Sequence, residues 1–309
     1  DYSGKTRNMG SLRSALHSPL RREDFFTGII CLAPSLLVIA FFVVFPIIFS
    51  LYLSFHEWAI LTPDKPFVGL SNFERMFSTP EFWQALKNTF VYTVGVVPFG
   101  AAASLALALL LNRTILGSGF FRTAFFLPVI TSTIAIAVVW LWVYDDNIGL
   151  LNLILRGLGF QPVRWLTSSK TALLSMIIMN VWRNAGYHMV IFLAGLQSIP
   201  ESLYEAATID GVNTFQRFRY ITWPLLVPTT VFVLITNTIF TFQVFGPIYV
   251  MTGGGPARST SVIVYYLYQR AFEFQEMGYA SAVAWIIFII LIGLTLFQLW
   301  LSRNKEKIW

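Results

Sequence analysis

Charge is what this sequence has least of. Only 12% of its 309 residues are Asp, Glu, Lys or Arg, about half of the roughly 25% found in an ordinary soluble domain. By contrast 56% are hydrophobic, and mean hydropathy is +0.67. A chain of this length can bury a full core, but it has too little charge to coat one, so most of its surface must face lipid. The single cysteine, Cys31, stands in an apolar run, which excludes an intrachain disulfide and a thiolate metal site. The three histidines, His17, His56 and His188, are far apart. There is no phosphate-cradling Gly-rich loop ending in Lys-Ser/Thr, no zinc-binding His pair, no nucleophile elbow and no carboxylate pair in an apolar run, so nothing points to an enzyme. Acidic groups are also missing from the apolar runs, where an ion-coupled carrier would need them. Uphill transport by this chain would have to draw its energy from elsewhere. The net charge of +6 is no sign of nucleic acid, because the basic residues gather at the ends of the apolar runs.

Those runs are the main content of the sequence. A bilayer crossing takes about 20 apolar residues, and the spacing predicts an all-α membrane protein of about six spans. They fall at 27–55, 88–112, 122–144, 172–198, 221–248 and 279–301. Residues 1–24 read as a polar, basic tail rather than a cleaved signal peptide, 25–303 as a single transmembrane domain, and 304–309 as a second tail. Placing both termini in the cytoplasm puts twelve of the 21 Lys and Arg inside and eight outside, with Arg183 left within the fourth span. That bias fixes the expected orientation.

The inside segment at 199–220 is too elaborate for a connector. Ser198 with Glu201 three residues on reads as a capping box, and Gly211 reads as a helix stop. Asn213 with Gln216 can start a second short helix, with Phe215 and Phe218 on one face. Ala206 and Ala207 leave a small-residue face that another surface can approach. A second feature is the polar stripe of the fourth span: Asn180, Arg183, Asn184, Tyr187 and His188 share one helical face. The fifth span adds Asn237, Thr241 and, nearby, Gln243. Amides and hydroxyls both donate and accept, which suits a polyol or sugar path, with Trp182, Phe240 and Phe242 as stacking faces. The same residues also suit interhelical glue, Arg183 equally suits pairing with a partner's carboxylate, and His188 equally suits packing.

Glu205-Ala206-Ala207, three residues, Gly211, nine residues, Ile221, two residues, Pro224 resembles the EAA motif of bacterial ABC import permeases. The likeness is to the carbohydrate-type family that includes the maltose and glycerol-3-phosphate permeases. It extends to Phe67–Phe73, Phe126-Leu127-Pro128 and Met251–Pro256, and departs only mildly at Trp223, where a Leu is usual. The resemblance implies a type I ABC importer permease-like fold in a bacterial inner membrane. It implies that Glu205, Ala206, Ala207, Asp210, Gly211 and Pro224 couple to a cytoplasmic ATPase dimer, which binds the ATP and Mg, leaving this chain without a cofactor. The remaining partners would be a second, homologous permease and an extracytoplasmic solute-binding protein. The solute would be a sugar, oligosaccharide, polyol or glycerophosphate, passing along the polar stripe of the fourth and fifth spans. A stand-alone carrier or channel for a polar solute is the alternative.

Overall fold

A computed structural model describes residues 19–59, 64–112 and 116–306; most of the N-terminal tail and residues 307–309 lie outside them. Among the described residues the chain is helical, with two isolated β-bridges, His56 to Phe67 and Ala59 to Glu276. The first span is α1 (Pro19–Ile39), a π-helical turn at Ala40–Val44, and α2 (Phe45–Ser54). It starts within the expected tail. A short outer helix, α3 (Ser71–Ser78), precedes α4 (Pro80–Leu111). α4 begins eight residues ahead of the expected 88 because Thr79 is extended and Pro80 takes the first helical position, where a missing N–H costs nothing.

The expected third span, 122–144, is not one helix. α5 (Ser118–Ile130) and α6 (Thr133–Val143) meet at a bend of 100°. Pro128 removes a backbone donor near the end of α5, and Thr131 and Ser132 both take extended torsions. α7 (Leu150–Gly157) then lies outside, and α8 (Ala172–Gln197) returns through the bundle. On the inner side follow α9 (Glu201–Ile209) and α10 (Thr214–Leu225), the latter including a π-helical turn at Phe218–Thr222. The expected fifth span, 221–248, is shorter: α11 (Val227–Phe242) leaves α10 at 64°. α12 (Gly246–Met251), α13 (Ile263–Tyr268) and α14 (Met277–Glu306) complete the chain.

Thr27–Ser54, Pro80–Leu111 and Met277–Ser302 are long and apolar enough to cross a bilayer, and five spans result if each bent pair counts once. α8 has the length, 26 residues or about 39 Å, but its polar stripe lowers its hydropathy. It is enclosed by α4, α5 and α11, and with it the count is the expected six.

α4 and α8 form the axis of the fold. Tyr92, Val96, Met176 and Met179 pack with Ala137, Tyr144 and Ile248 toward the outer side. Ala101, Ala108, Met189, Phe192, Leu196 and Val233 pack toward the inner side. A third cluster joins α3, α4, α13 and α14 through Met76, Phe82, Ile263, Tyr266 and Val283. The first span stands apart: only 6% of its most apolar stretch is buried within the chain. Its side chains therefore face lipid or another subunit.

Candidate functional site

Two constellations stand out, one inside the bundle and one on its inner face. In the bundle, Asn180 is buried, and its side-chain oxygen accepts a hydrogen bond from the Asn184 amide at 2.8 Å. Arg183 and Asn184 are half-buried, while Trp182 and Tyr187 keep 47% and 36% of their surface exposed. The Arg183 guanidinium donates to the Thr133 hydroxyl at 2.6 Å. Thr133 is the first residue of α6, so the cation sits at the break between α5 and α6. The Arg183 Nε is buried and has no hydrogen-bond partner among the described residues. His188 is buried, and neither ring nitrogen has a hydrogen-bond partner among the described residues. It packs its ring edge-on to Tyr187 at 5.2 Å, the packing placement considered from the sequence.

The fifth-span residues sit elsewhere. Asn237 is buried against α4, donating to the Val97 carbonyl at 3.4 Å and accepting from the Thr241 hydroxyl at 3.0 Å. Its amide lies so near Gly100 that a Cβ there would stand 3.3 Å away. Asn237 and Thr241 are thus partnered within the chain, in the geometry of interhelical glue. Gln243 is exposed beyond the end of α11, apart from that pair.

Two residues in the bundle were not singled out from sequence. Thr133 belongs to a Thr-Ser-Thr cluster shortly after Pro128, and that cluster was a usable signal. Tyr92 is fully buried on α4, its hydroxyl beside the Asn180 side chain and within electrostatic reach of Arg183. A lone tyrosine in an apolar run carries no signal for this.

On the inner face, α9 ends in a full Schellman motif. Gly211 has φ +70°, its N–H donates to the Thr208 carbonyl, and the Val212 N–H donates to the Ala207 carbonyl. The expected capping box at Ser198 and Glu201 is absent. Pro200 occupies the cap position, and the Ser198 hydroxyl donates instead to the Gly195 carbonyl at 2.8 Å, because Ser198 is still in the final turn of α8. The capping box forms one helix later. The Asn213 side chain accepts from the Gln216 N–H at 2.9 Å, and the Gln216 side chain accepts from the Asn213 N–H at 3.1 Å. Tyr204 ties the two helices together through its hydroxyl on Thr222, 3.1 Å away, and its ring under Arg217.

Glu205, Ala206, Asp210 and Gly211 are exposed, and Pro224 is half-buried at the base of α10. Ala207 is 5% exposed. The expected small-residue face is therefore divided: Ala206 is open, and Ala207 is covered by this chain, which leaves it closed to a partner. The same surface shows Leu203, Ile209, Phe215 and Tyr220, with Ile209 87% exposed.

At the outer face, a cavity of about 180 Å³ is lined by Glu81, Gln84, Arg258, Tyr265, Tyr266 and Arg270 among others. Arg258 pairs with Glu81 at 2.7 Å. Glu276 receives both Arg75 and Arg270, fastening α3 to the start of α14.

Comparison with known proteins gives concordant matches. A family described as "Binding-protein-dependent transport system inner membrane component" matches residues 96–307. The probable ABC transporter permease protein YesP of Bacillus subtilis is 40% identical over 284 residues, covering 90% of this chain and 91% of that protein. The trehalose/maltose transport system permease protein MalF of Thermococcus litoralis is 35% identical over 291 residues, covering 94% and 98%. Among solved structures, a chain of a bacterial ABC transporter involved in import of the acidic polysaccharide alginate superposes with a TM-score of 0.80 at 25% identity, covering 92% of this chain and 96% of that one.

Proposed function

The chain belongs to the binding-protein-dependent transport system inner membrane component family, and on that premise we propose that α9 and α10 are the surface by which a cytoplasmic ATPase grips it. It is a multi-pass permease of the inner membrane, the membrane subunit of an ABC importer. Membership in a binding-protein-dependent system displaces the stand-alone carrier considered from the sequence. ATP and Mg bind on the ATPase dimer, and the bundle is completed by a second, homologous permease, against which the poorly covered first span is free to pack.

The observation that carries the coupling role is the rigidity of a segment lying outside the bundle. A connector needs no Schellman turn, no capping box and no Tyr204 bridge, yet α9–α10 has all three. Locked in this way, it presents exposed Glu205, Ala206 and Asp210 beside exposed Leu203, Ile209, Phe215 and Tyr220. An acidic rim with apolar side chains in water is what a protein partner covers. A rigid lever also transmits movement of the ATPase to α8 and α11, whereas a slack loop would absorb it.

The solute class is a saccharide, supported by the trehalose/maltose relative and the alginate importer. Its path runs past Asn180, Arg183, Asn184 and Tyr187, with Trp182 as a stacking face. Asn237 and Thr241 support the wall of that path through their bonds to α4 and to each other.

The coupling reading is tested by co-purifying the ATPase with Glu205→Lys and Gly211→Val variants. No atom stands within 4 Å of a Cβ added at Gly211, so the valine acts through its left-handed backbone, at about 1 kcal/mol, and redirects α10. Each variant should reach the membrane at near-parental level and lose ATPase or couple hydrolysis poorly to uptake. Parental ATPase binding and transport in both would reduce α9–α10 to a connector.

A further inference from the structure

We propose that Arg183 reads a negative charge on the passing solute, so that the transported class is an acidic saccharide, one bearing carboxylate, sulfate or phosphate groups. The inference rests on the reading of the chain as a saccharide importer and narrows its substrate.

Arg183 lies eleven residues from the outer end of α8, about 17 Å along the helix axis. A charge at that depth is costly unless something answers it. This chain supplies no carboxylate there: between Glu81 and Asp145, and between Asp146 and Glu201, there is no Asp or Glu, nor is there one between Asp210 and Glu273 or between Glu276 and Glu306. The ion pairs among the described residues, Arg75–Glu276, Arg258–Glu81 and Arg270–Glu276, are all on the outer face. A guanidinium has five donors. One nitrogen of Arg183 is engaged, by Thr133, and the buried Nε has no partner.

The surroundings favour an anion at that point. The bend between Ile130 and Thr133 leaves the first-turn amides of α6 without intrahelical acceptors, and Ser132 does not cap them with its side chain. Those amides carry the positive end of the helix dipole. The fully buried Tyr92 hydroxyl stands beside Asn180 and within electrostatic reach of the Arg183 guanidinium, adding a neutral polar group rather than a counter-charge. Irregular backbone at membrane depth is tolerated only against protein or a water-filled cavity. Arg183, Asn184 and Tyr187 all keep exposed surface, so the helices of this chain do not seal them off. A half-buried cation therefore stands on the first residue of α6, at the uncapped start of that helix, with no carboxylate of this chain to answer it. A passing oxyanion would take bidentate bonds from the guanidinium. A neutral hydroxyl would leave the charge unanswered.

The test uses the assembled importer, with its second permease, ATPase and binding protein, in proteoliposomes. The probes are a panel of uronate oligosaccharides and their neutral methyl esters. The native complex should carry at least one acid faster than its ester. In Arg183→Gln the acid-to-ester ratio should fall about ten- to a hundredfold, the range for hydrogen bonds to a charged group, and Arg183→Lys should fall between. The binding protein is common to all three assemblies, so a change in the ratio belongs to Arg183. An unchanged ratio in Arg183→Gln overturns the proposal while leaving the importer intact. So does loss of the second permease from both Arg183 variants, which would make Arg183 the fixed partner of that subunit's carboxylate. Failure to carry any acid or ester of the panel overturns the saccharide reading and the proposal with it.

Discussion

At Gly186 the backbone of α8 lies against that of α5. A Cβ there would stand 1.9 Å from the Phe125 carbonyl oxygen and 2.5 Å from its carbon. A carbonyl in mid-helix cannot swing aside as a side-chain tip can, so the strain falls on the whole contact. Gly186→Ala is expected to destabilise the detergent-extracted protein by about 2–3 kcal/mol, the upper part of the overpacking range. Gly293→Ala, with nothing within 4 Å, is the matched control. Denaturation curves for both variants decide the matter: equal midpoints would mean that α5 and α8 do not meet as closely as described. Gly186 also lies one turn from Arg183, and its close approach helps to hold Thr133 within hydrogen-bonding range of the guanidinium.

Among the elements, α9 and α10 differ in how they begin, and the difference is measurable. Asn213→Ala removes the side-chain half of the capping box, the oxygen that accepts from the Gln216 N–H, and leaves the backbone N–H at 213 from which the Gln216 side chain accepts, a loss of about 1 kcal/mol. Amide exchange over Thr214–Arg217 should quicken by roughly fivefold. Ser198→Ala should leave exchange in α9 unchanged, because the Ser198 hydroxyl bonds back to Gly195 and touches no α9 amide. Faster exchange in α9 of Ser198→Ala would restore the capping box expected from sequence. The same sequence pattern, a hydroxyl or amide residue with an acid or amide three positions later, occurs at both places. It works at Asn213 because that residue is extended, with φ −74° and ψ 166°. It fails at Ser198, which is still helical at φ −79° and ψ −11°. Ala207 is a related case: its size was legible, and the side it faces was not. Ala207→Trp should therefore lower the amount of folded protein in the membrane rather than only release the ATPase, and membrane-fraction immunoblotting separates the two outcomes.

For the whole molecule the main expectation is orientation. With Cys31 replaced by Ser, single cysteines at Ser71, Ser169, Ala257 and Ser202 are all on exposed positions. An impermeant thiol reagent added to intact cells should label the first three and leave the one at 202 untouched. Labelling at 202 from outside would invert the assignment of α9–α10 to the cytoplasm and with it the coupling role.

The sequence by itself determined whatever depends on length, composition and near neighbours. The long uncharged runs had to become helices, because a backbone in lipid must satisfy its hydrogen bonds internally. Gly211 had to be left-handed once a helix ended before it, and the EAA spacing marked the coupling segment. Only the tertiary structure decided the features that depend on distant partners. Pro128 weakens the end of α5 locally, but the 100° bend breaks at Thr131 and Ser132, which set no angle by themselves. It is held by Gly186 against Phe125 and by Arg183 on Thr133, contacts 61 and 50 positions apart in the chain. Asn237 and Asn180 are alike as sequence signals. Both are buried, but Asn237 bonds the α4 backbone while Asn180 accepts from half-buried Asn184, one turn on and next to Arg183, because helix packing chose what stands opposite each face. Periodicity names the residues that share a face; it does not say what stands opposite.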